Sequence, residues 1–330
     1  MARALITGGC GFIGSHLGAR LERSGFEVDL VDNFARGVAD EDLRALLERP
    51  DVRLIECDLL DPGAIAKLGD GYELIFHLAA IVGVANVLGR PYEVLDQNVA
   101  MTVGVLELAR RQQQLSRLVF ASTSEVYAGT LEHFELQIPT PESAPITIPD
   151  VALPRTSYML SKLYGEALCI QSGLPVTVIR PHNVYGPRMG MSHVIPELLE
   201  RARRASDGDR LEVYSVDHRR TFCYVEDAVE MIALAAGSPQ CVGEVLNVGK
   251  EGPEIEIGQL AEQVIETVGR ELTIEPRPAT AGSPARRAPE MLKARALTGY
   301  SAQVELREGL DRTYRWYGEN VFGGSGLSAR

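Results

Sequence analysis

A tyrosine and a lysine four residues apart are the first residues whose spacing could support chemistry. Tyr158 and Lys162 lie on one face of a helix that the sequence predicts from about residue 156 to 172. An ammonium group near a phenol favours the phenolate, so we expect Lys162 to lower the pKa of Tyr158. Such a tyrosine can take a proton from a substrate hydroxyl while hydride leaves the same carbon. The spacing is common on helices and becomes informative only beside other motifs.

The start of the chain has the pattern of a dinucleotide-binding turn. An apolar strand and a helix that begins near Ser15 are separated by three glycines, Gly8, Gly11 and Gly14. In that order they allow a tight turn, close approach of a pyrophosphate and close packing of the helix. The unpaired amides of the helix N-terminus attract the anion. Asp32 ends the second strand, where a carboxylate accepts from both adenosine ribose hydroxyls and repels a 2′-phosphate. The pattern predicts NAD rather than NADP, with Lys162 able to bond the nicotinamide ribose.

Strands and helices alternate around these motifs. Apolar segments predict six strands, at residues 4–7, 27–31, 52–57, 72–80, 117–121 and 176–180. Helices are predicted between them, near 40–48, 62–68, 94–113 and 156–172. Near-continuous apolar strands alternating with helices indicate an α/β fold with a Rossmann-type, doubly wound parallel sheet. Ligands of such folds bind beyond the carboxyl ends of the strands, which here are marked by Gly8, Asp32, Asp58, Ala79 and Ser122.

The regular alternation ends near residue 180. We expect residues 1–180 to form the NAD-binding domain, with the Tyr158 helix included. Residues 181–330 are expected to form mainly a smaller, mixed α/β C-terminal lobe that binds the substrate, with about 221–250 returning to the first domain. A proline-rich, acidic segment over 128–154 has no assigned structure and could fold over the site. The glycine-rich tail over 323–326 is expected to be flexible.

Composition argues against several classes of function. The net charge of −12 over 330 residues disfavours nucleic acid or an anionic membrane surface as a partner. No apolar stretch is long enough to span a bilayer, and the first strand begins too close to Met1 to leave room for a signal peptide. The cysteines have no metal-ligand spacing, so we expect no metal site and reduced thiols in a cytoplasmic protein. They are Cys10, Cys57, Cys169, Cys223 and Cys241.

Together the motifs resemble those of the extended short-chain dehydrogenase/reductases, the NAD-dependent nucleotide-sugar epimerases, dehydratases and decarboxylases. The resemblance covers nearly the whole chain and rests on residues 7–14, 32–34, 58–59, 77–80, 98–99, 122–127, 158, 162, 180–187, 220–227 and 247–249. It implies a tightly held NAD that is recycled and a nucleoside-diphosphate sugar as substrate, with a UDP-sugar expected. It also implies a homodimer in which the helices near 94–113 and 156–172 pack into a four-helix bundle.

The resemblance also implies roles for individual residues. Tyr158 would oxidise C4 of the sugar to a ketone, with Lys162 and the turn formed by Thr123, Ser124 and Glu125 beside it. The implied cofactor contacts, beyond the three glycines and Asp32, are Phe12, Ile13, Asn33, Phe34, Gly37, Asp58, Leu59, Leu78, Ala79, Ala80, Asn98, Ser122, Tyr158, Lys162 and His182. The implied substrate contacts are Asn183, Arg188, Tyr214, Arg220 and Arg287. Guanidinium groups fork onto phosphate oxygens, but the sequence leaves open whether Arg286 or Arg287 points inward.

The turn beside the tyrosine separates the reactions that can follow a 4-ketone. The 4,6-dehydratases have Thr-Asp-Glu there, so Ser124 replaces their acid and disfavours dehydration. Typical UDP-galactose-type 4-epimerases lack the glutamate, whereas Glu125 is present here. Residues 122–127 instead resemble the UDP-glucuronate decarboxylases, as do 154–155 and 186–189. A C6 carboxylate β to a C4 ketone is labile, so the protein needs mainly to hold it and to stabilise the enolate.

Other interpretations stay open. Residues 182–187 are closer to those of epimerases, so C4 epimerisation of a uronate or a hexose is the alternative to decarboxylation. Glu125 could instead be a structural carboxylate bonded to backbone amides. A non-catalytic NAD-binding scaffold is a hypothesis from another class, and the intact Tyr158 and Lys162 argue against it. Whether hydride returns to C4 is not decided by the sequence.

Overall fold

The architecture is a parallel sheet with helices on both faces and smaller sheets beside it. A computed structural model describes residues 2–279 and 284–323. The strands are β1 (Arg3–Thr7), β2 (Glu27–Asp32), β3 (Val52–Glu56), β4 (Leu74–His77), β5 (Arg117–Ala121), β6 (Val176–Pro181), β7 (Val184–Tyr185), β8 (Arg210–Tyr214), β9 (Arg219–Arg220), β10 (Cys223–Tyr224), β11 (Val245–Val248), β12 (Ile255–Glu256), β13 (Thr273–Arg277) and β14 (Arg286–Arg287). The helices are α1 (Phe12–Glu22), α2 (Glu41–Leu47), α3 (Pro62–Ala66), α4 (Val84–Gly89), α5 (Pro91–Arg111), α6 (Ala128–His133), α7 (Pro154–Gln171), α8 (Val194–Arg204), α9 (Val225–Gly237), α10 (Ile257–Val268), α11 (Leu292–Thr298) and α12 (Leu306–Tyr317).

Seven strands form one sheet in the order β11–β6–β5–β4–β1–β2–β3. Every neighbouring pair in it is parallel. The chain builds the sheet in one direction from β1 and in the other from β4, so the switch point lies between these two strands. This topology confirms the predicted Rossmann-type, doubly wound α/β fold. The smaller sheets join β8 with β13, β9 with β12 and β14, and β7 with β10.

Two apolar layers hold the sheet because successive residues of a strand face opposite sides. In β1, Ile6 packs in one buried cluster with Leu17 of α1. Its neighbour Leu5 packs in another cluster with Val105 of α5. Helices α1 and α9 contact each other on the first face, and α5 and α7 contact each other on the second. The helix that contains Tyr158 is therefore held rigidly by the sheet and by α5.

The predicted elements agree with the structure in order and nearly in position. Helix α1 begins at Phe12 rather than near Ser15. Strand β4 spans Leu74–His77 rather than residues 72–80, because the chain after His77 leaves the sheet toward the site. Within residues 2–279 and 284–323, no helix is both long and apolar enough to cross a bilayer. Residues 324–326 of the tail that was predicted to be flexible lie outside the described residues.

The segment over 128–154 contains α6 and then an irregular stretch that is tied to the C-terminal part of the chain. Thr140 N donates to Ala288 O over 2.8 Å, and Glu290 N donates to Thr140 O over 2.9 Å. The Thr130 hydroxyl donates to Pro145 O over 2.6 Å and closes the stretch onto α6. The segment thus packs beside β14, next to the turn at the end of β5.

Candidate active site

The glycines of the turn between β1 and α1 lack side chains, which leaves its backbone open to a pyrophosphate. At two of these positions a side chain would collide with neighbouring backbone atoms. Gly8 has a φ of +68°, and a Cβ there would lie 2.9 Å from Ala79 N. A Cβ on Gly14 would lie 2.2 Å from Gly8 O, so α1 packs directly on the turn. Gly11 precedes the helix and has no side chain that could cap its first amides. These amides, with Phe12 and Ile13 in the first turn, fit a dinucleotide pyrophosphate.

Asp32 is fixed at the end of β2 with both carboxylate oxygens in place. Cys10 N donates to Oδ2 over 3.0 Å, and Phe34 N donates to Oδ1 over 2.9 Å. Each oxygen keeps a further lone pair for a ribose hydroxyl. A Cβ on Gly37 would lie 3.1 Å from Oδ1, so the loop packs closely around the carboxylate. Asn33 accepts from Ala35 N at the same loop. These acceptor oxygens fit the two hydroxyls of the adenosine ribose of NAD.

The neighbouring strand ends complete the side where the cofactor is expected. Asp58 is exposed after β3 and accepts from Leu60 N over 3.0 Å, and Leu59 is buried. The half-buried residues after β4 are Leu78, Ala79 and Ala80. Asn98 of α5 accepts from Ile81 N over 2.7 Å and donates to Ser161 of α7 over 3.2 Å. Asn98 therefore ties the loop after β4 to the Tyr158 helix.

Tyr158 and Lys162 share one face of α7, as predicted, but the pKa of the phenol is not lowered. Burial raises the pKa of Tyr158 and the charge of Glu125 raises it further, while a hydrogen bond with Thr123 and the charge of Arg36 act in the opposite sense. Lys162 Nζ donates to Ala121 O over 2.8 Å. The ammonium is thus directed to the end of β5 and is not among the charges that lower the pKa of Tyr158, so the expectation that it does is wrong. Burial lowers the pKa of Lys162 itself to about 8.

The three polar residues of the turn after β5, Thr123, Ser124 and Glu125, differ in their burial and in their hydrogen bonds. Thr123 accepts from Glu125 N over 3.2 Å and begins a short helical turn over Ser124–Tyr127. Ser124 is buried and lines a cavity beside the turn. Glu125 is exposed, and no donor among the described residues hydrogen-bonds its carboxylate. Its charge raises the pKa of both Tyr158 and Arg287. The alternative of a carboxylate held by backbone amides is therefore not what the described structure contains.

Two neighbouring arginines form a basic surface across from this turn. Arg287 of β14 pairs in register with Arg220 of β9. Burial lowers the pKa of Arg287, and burial with the charge of Arg287 lowers the pKa of Arg220 to about 10. Arg286 points the other way and makes two 2.6 Å bonds to Glu254. Arg287 is thus the inward residue of the adjacent pair, and two close guanidinium groups favour an anionic ligand.

Two expected ligand contacts, Arg188 and Ser122, have other partners in the structure. Arg188 was expected to contact the substrate, but it forms a buried ion pair with Asp40 at 2.6 Å and donates to Val38 O over 3.0 Å. Val38 and Asp40 follow the Asp32 loop, so Arg188 lies on the side of the site where the cofactor is expected. The hydroxyl of Ser122 donates to buried Glu166, away from the sheet edge.

The remaining predicted residues lie in the C-terminal part of the chain or next to it. Asn183, at a φ of +41°, donates to Thr221 O over 2.9 Å. Tyr214 is half exposed at the end of β8. His182 is buried after β6 and borders the same cavity as Ser124.

Two features were not predicted. Arg36 reaches from the Asp32 loop to Val82 O over 3.3 Å, and its charge acts on the pKa of Tyr158. A buried ion pair also joins Arg180 of β6 to Glu166 of α7 at 2.6 Å. An arginine inside an apolar strand is a signal for such a pair, since a buried charge needs a partner. The signal for Arg36 is weaker, because a loop arginine is usually solvated.

Comparisons with known proteins agree with this geometry. A family model described as the NAD dependent epimerase/dehydratase family matches residues 4–249. The chain is 33% identical to the UDP-N-acetyl-alpha-D-glucosaminuronate decarboxylase of Bacillus cytotoxicus, over 96% of this chain and 98% of that protein. It is 33% identical to UDP-glucuronic acid decarboxylase 1 of Xenopus tropicalis, over 96% of this chain and 72% of the relative.

A solved structure of UDP-glucose 4-epimerase with UDP-glucose from Thermotoga maritima is also similar. It superposes with a TM-score of 0.81 at 26% identity and covers 96% of this chain and 99% of that one. The matched residues 4–249 include the glycine turn, Asp32 and the Tyr158 helix. The chain therefore belongs to the NAD-dependent epimerase/dehydratase family, and its cofactor is NAD.

Proposed function

We propose that the protein is an enzyme that decarboxylates a UDP-linked glucuronate after transient oxidation at C4 of the sugar. The names of the two similar decarboxylases support this choice of reaction and of nucleotide. The observation that carries it is Glu125, an exposed carboxylate that is electrostatically coupled to both Tyr158 and Arg287. A 4-epimerase does not need charged groups such as Glu125 and Arg287 beside the tyrosine.

The first step belongs to Tyr158. Its phenolate oxygen takes the proton of the C4 hydroxyl, and the nearby Thr123 side chain favours the phenolate by lowering the pKa of Tyr158. NAD, when bound, supplies the oxidation by accepting hydride from C4 and can return it later. Because burial raises the pKa of Tyr158, a nearby positive charge has to lower it for catalysis. Arg36, whose charge acts in this sense, is proposed to contribute, and the positive nicotinamide ring of bound NAD would act in the same sense.

The second step uses the charged pair across from the tyrosine. Oxidation makes the sugar a β-keto acid, and the C5–C6 bond breaks to release carbon dioxide and leave an enolate. We assign Arg287 to hold the carboxylate and Arg220 to the diphosphate side, because the two residues pair in register and the charge of Arg287 lowers the pKa of Arg220. Glu125, which is exposed and can take up a proton from solvent, is assigned to pass that proton to C5, so that the C5–H bond replaces the broken C5–C6 bond.

Proton NMR of UDP-glucuronate incubated with the NAD-loaded protein tests this proposal. The expected result is loss of the C6 carboxylate as carbon dioxide and a UDP-pentose or UDP-4-ketopentose as product, with no turnover by Tyr158→Phe. Appearance of UDP-galacturonate without loss of carbon would contradict decarboxylation. An unchanged cellular role of Tyr158→Phe would favour a non-catalytic scaffold.

A 4-epimerase of a uronate or hexose is the second candidate. The similarity to the UDP-glucose 4-epimerase structure supports it. It requires only that the keto-sugar turn over in the site. A 4,6-dehydratase is a weaker candidate because Ser124 offers a hydroxyl where that reaction needs an acid.

We also propose that the protein is a homodimer formed by α5 and α7. Their outer faces carry exposed apolar side chains at Val103, Tyr164 and Ile170. A groove between the two helices is lined by Val103, Leu106, Tyr164, Ala167 and Leu168, among others. Exposed apolar patches of this kind mark association surfaces. Sedimentation equilibrium should give a dimer that Tyr164→Glu dissociates, and a wild-type monomer would contradict the proposal.

A further inference from the structure

His182 contains a buried ring nitrogen whose hydrogen bond is not made within the described protein. The residue follows β6 and is only 1% exposed. Its Nε2 lies 3.0 Å from Asn247 Oδ1, whereas Nδ1 has no partner among residues 2–279 and 284–323. Buried polar atoms are nearly always paired, and an unpaired one carries a cost. Nδ1 is therefore a place where a ligand can supply what the protein does not.

The surrounding hydrogen bonds fix which nitrogen carries the proton. Asn247 Nδ2 donates to Thr140 O over 2.9 Å, which leaves Oδ1 as the acceptor. At the other end Arg180, which can only donate, bonds the Tyr127 hydroxyl over 2.8 Å, and that hydroxyl donates to Asn247 Oδ1. His182 Nε2 must then donate to the same oxygen. In the neutral ring Nδ1 is consequently a bare acceptor that needs an N–H or O–H group.

The charge state of the ring supports this assignment. Burial lowers the pKa of His182 to about 3, and the charges of Arg287 and Arg180 also lower it, although the bond to Asn247 raises it. His182 is therefore neutral at physiological pH.

The cavity beside His182 belongs to the substrate side rather than the cofactor side. Its walls come from the turn after β5, from α6 with the following segment, and from β14. The lining residues are Ser124, Tyr127, Ala128, Leu131, Leu136, Thr140, His182, Arg286 and Arg287. They include Ser124 and Arg287 of the proposed reaction site, and the residues of the glycine turn are not among them.

We propose that His182 determines substrate specificity by accepting, at Nδ1, a hydrogen bond from a hydroxyl or amide N–H of the bound nucleotide sugar. The identity of the ligand rests on the proposed function, but the hydrogen bond does not depend on which reaction follows. A carboxylate at this position would face a bare lone pair, so the uronate carboxylate is directed to Arg287 instead. Sugars that lack the donor are discriminated against, since Nδ1 would then stay buried and unpaired.

Two substitutions separate the two ring nitrogens. His182→Asn keeps an acceptor one bond from Cγ, where Nδ1 stands, and removes the bond to Asn247. His182→Gln places its amide where Nε2 stands and removes the acceptor. We expect His182→Gln to raise KM for the sugar by roughly tenfold, the range of one hydrogen bond lost from a buried group, and His182→Asn to raise it much less. Equal effects of the two variants, at equal NAD content, would overturn the proposal.

Nitrogen NMR of the NAD-loaded protein labelled with 15N-histidine reads the bond directly. His182, assigned by its loss in His182→Asn, should show an unprotonated Nδ1 that moves upfield when UDP-glucuronate binds but not when UDP binds. A protonated Nδ1, or an unmoved resonance with saturating UDP-glucuronate, would overturn the assignment. If NAD alone already shifts the Nδ1 resonance, the donor is the nicotinamide carboxamide rather than the sugar, and this result would also overturn the proposal. A shift by UDP-glucuronate without decarboxylation would support this proposal while the proposed reaction fails.

Discussion

Replacing Gly14 by alanine tests how closely α1 packs on the dinucleotide turn. An added Cβ would lie 2.2 Å from Gly8 O and 2.9 Å from Gly9 Cα. Both neighbours are backbone atoms, which cannot rotate away as a flexible side chain can. The helix or the turn must therefore move by about 1 Å or more to reach van der Waals separation. The same amides that would bind the pyrophosphate move with it.

Gly14→Ala has two opposing effects on the free energy of unfolding, from helix propensity and from overpacking, whereas its effect on NAD affinity is in one direction only. Alanine favours the helix over glycine by about 1 kcal/mol. Overpacking costs about 1–3 kcal/mol, so the free energy of unfolding should fall by at most about 2 kcal/mol. Losing two amide bonds to a charged pyrophosphate costs about 3–6 kcal/mol, so NAD affinity should fall by roughly 100-fold or more. Binding is expected to respond far more strongly than folding.

Isothermal titration with NAD, beside urea unfolding of the same samples, measures both quantities. Gly89→Ala at the end of α4 is the matched control, because within the described part of the chain a Cβ there meets nothing within 4 Å. It should bind NAD as the wild type does. A Gly14→Ala protein that binds NAD as tightly as the control would refute the argument that α1 packs on the turn.

Two further predictions concern buried charges. Glu166→Gln removes the charged partner of buried Arg180 and should lower the free energy of unfolding by about 3–5 kcal/mol. The control Glu200→Gln affects the more exposed pair with Arg204 and should change the free energy of unfolding by under about 0.5 kcal/mol. Similar effects of the two variants in urea unfolding would contradict the prediction for Glu166. Because burial lowers the pKa of Lys162 from 10.5 to about 8, the cost of its charge is present below pH 8 and fades as pH rises toward 10.5. The stability of Lys162→Met relative to wild type should therefore be greatest near neutral pH and decline above about pH 8, and a difference independent of pH would contradict the sign.

The parts of the site that the sequence predicts are those whose geometry is local. Gly8 and Gly14 follow a strand directly, and their roles depend on a few neighbouring residues. Tyr158 and Lys162 share a helix face because four residues make about one turn. The apolar strands likewise indicate the parallel sheet, since burial on both faces leaves a continuous apolar pattern.

The parts that could not be predicted depend on contacts between distant segments. Arg188 pairs with Asp40, 148 residues away, and nothing near either residue indicates this partner. The choice between Arg286 and Arg287 depends on the register of β14, because a shift of one residue exchanges the two faces of a strand. The tautomer of His182, whose Nδ1 has no partner among residues 2–279 and 284–323, follows from a chain of bonds that joins four segments. Such networks require the tertiary structure.

The most direct test of the central claim follows the C6 carbon of UDP-glucuronate. With substrate labelled by 13C at C6, the NAD-loaded protein should release 13C carbon dioxide. At steady state, Glu125→Gln should slow this release by about 100-fold or more, the contribution of a positioned acid or base, because the enolate must be protonated before the next turnover; NAD content should not change. Glu132→Gln, at an exposed position of α6, is the control and should leave the rate unchanged. Labelled carbon retained in UDP-galacturonate, or release by Glu125→Gln at the wild-type rate, would contradict the account.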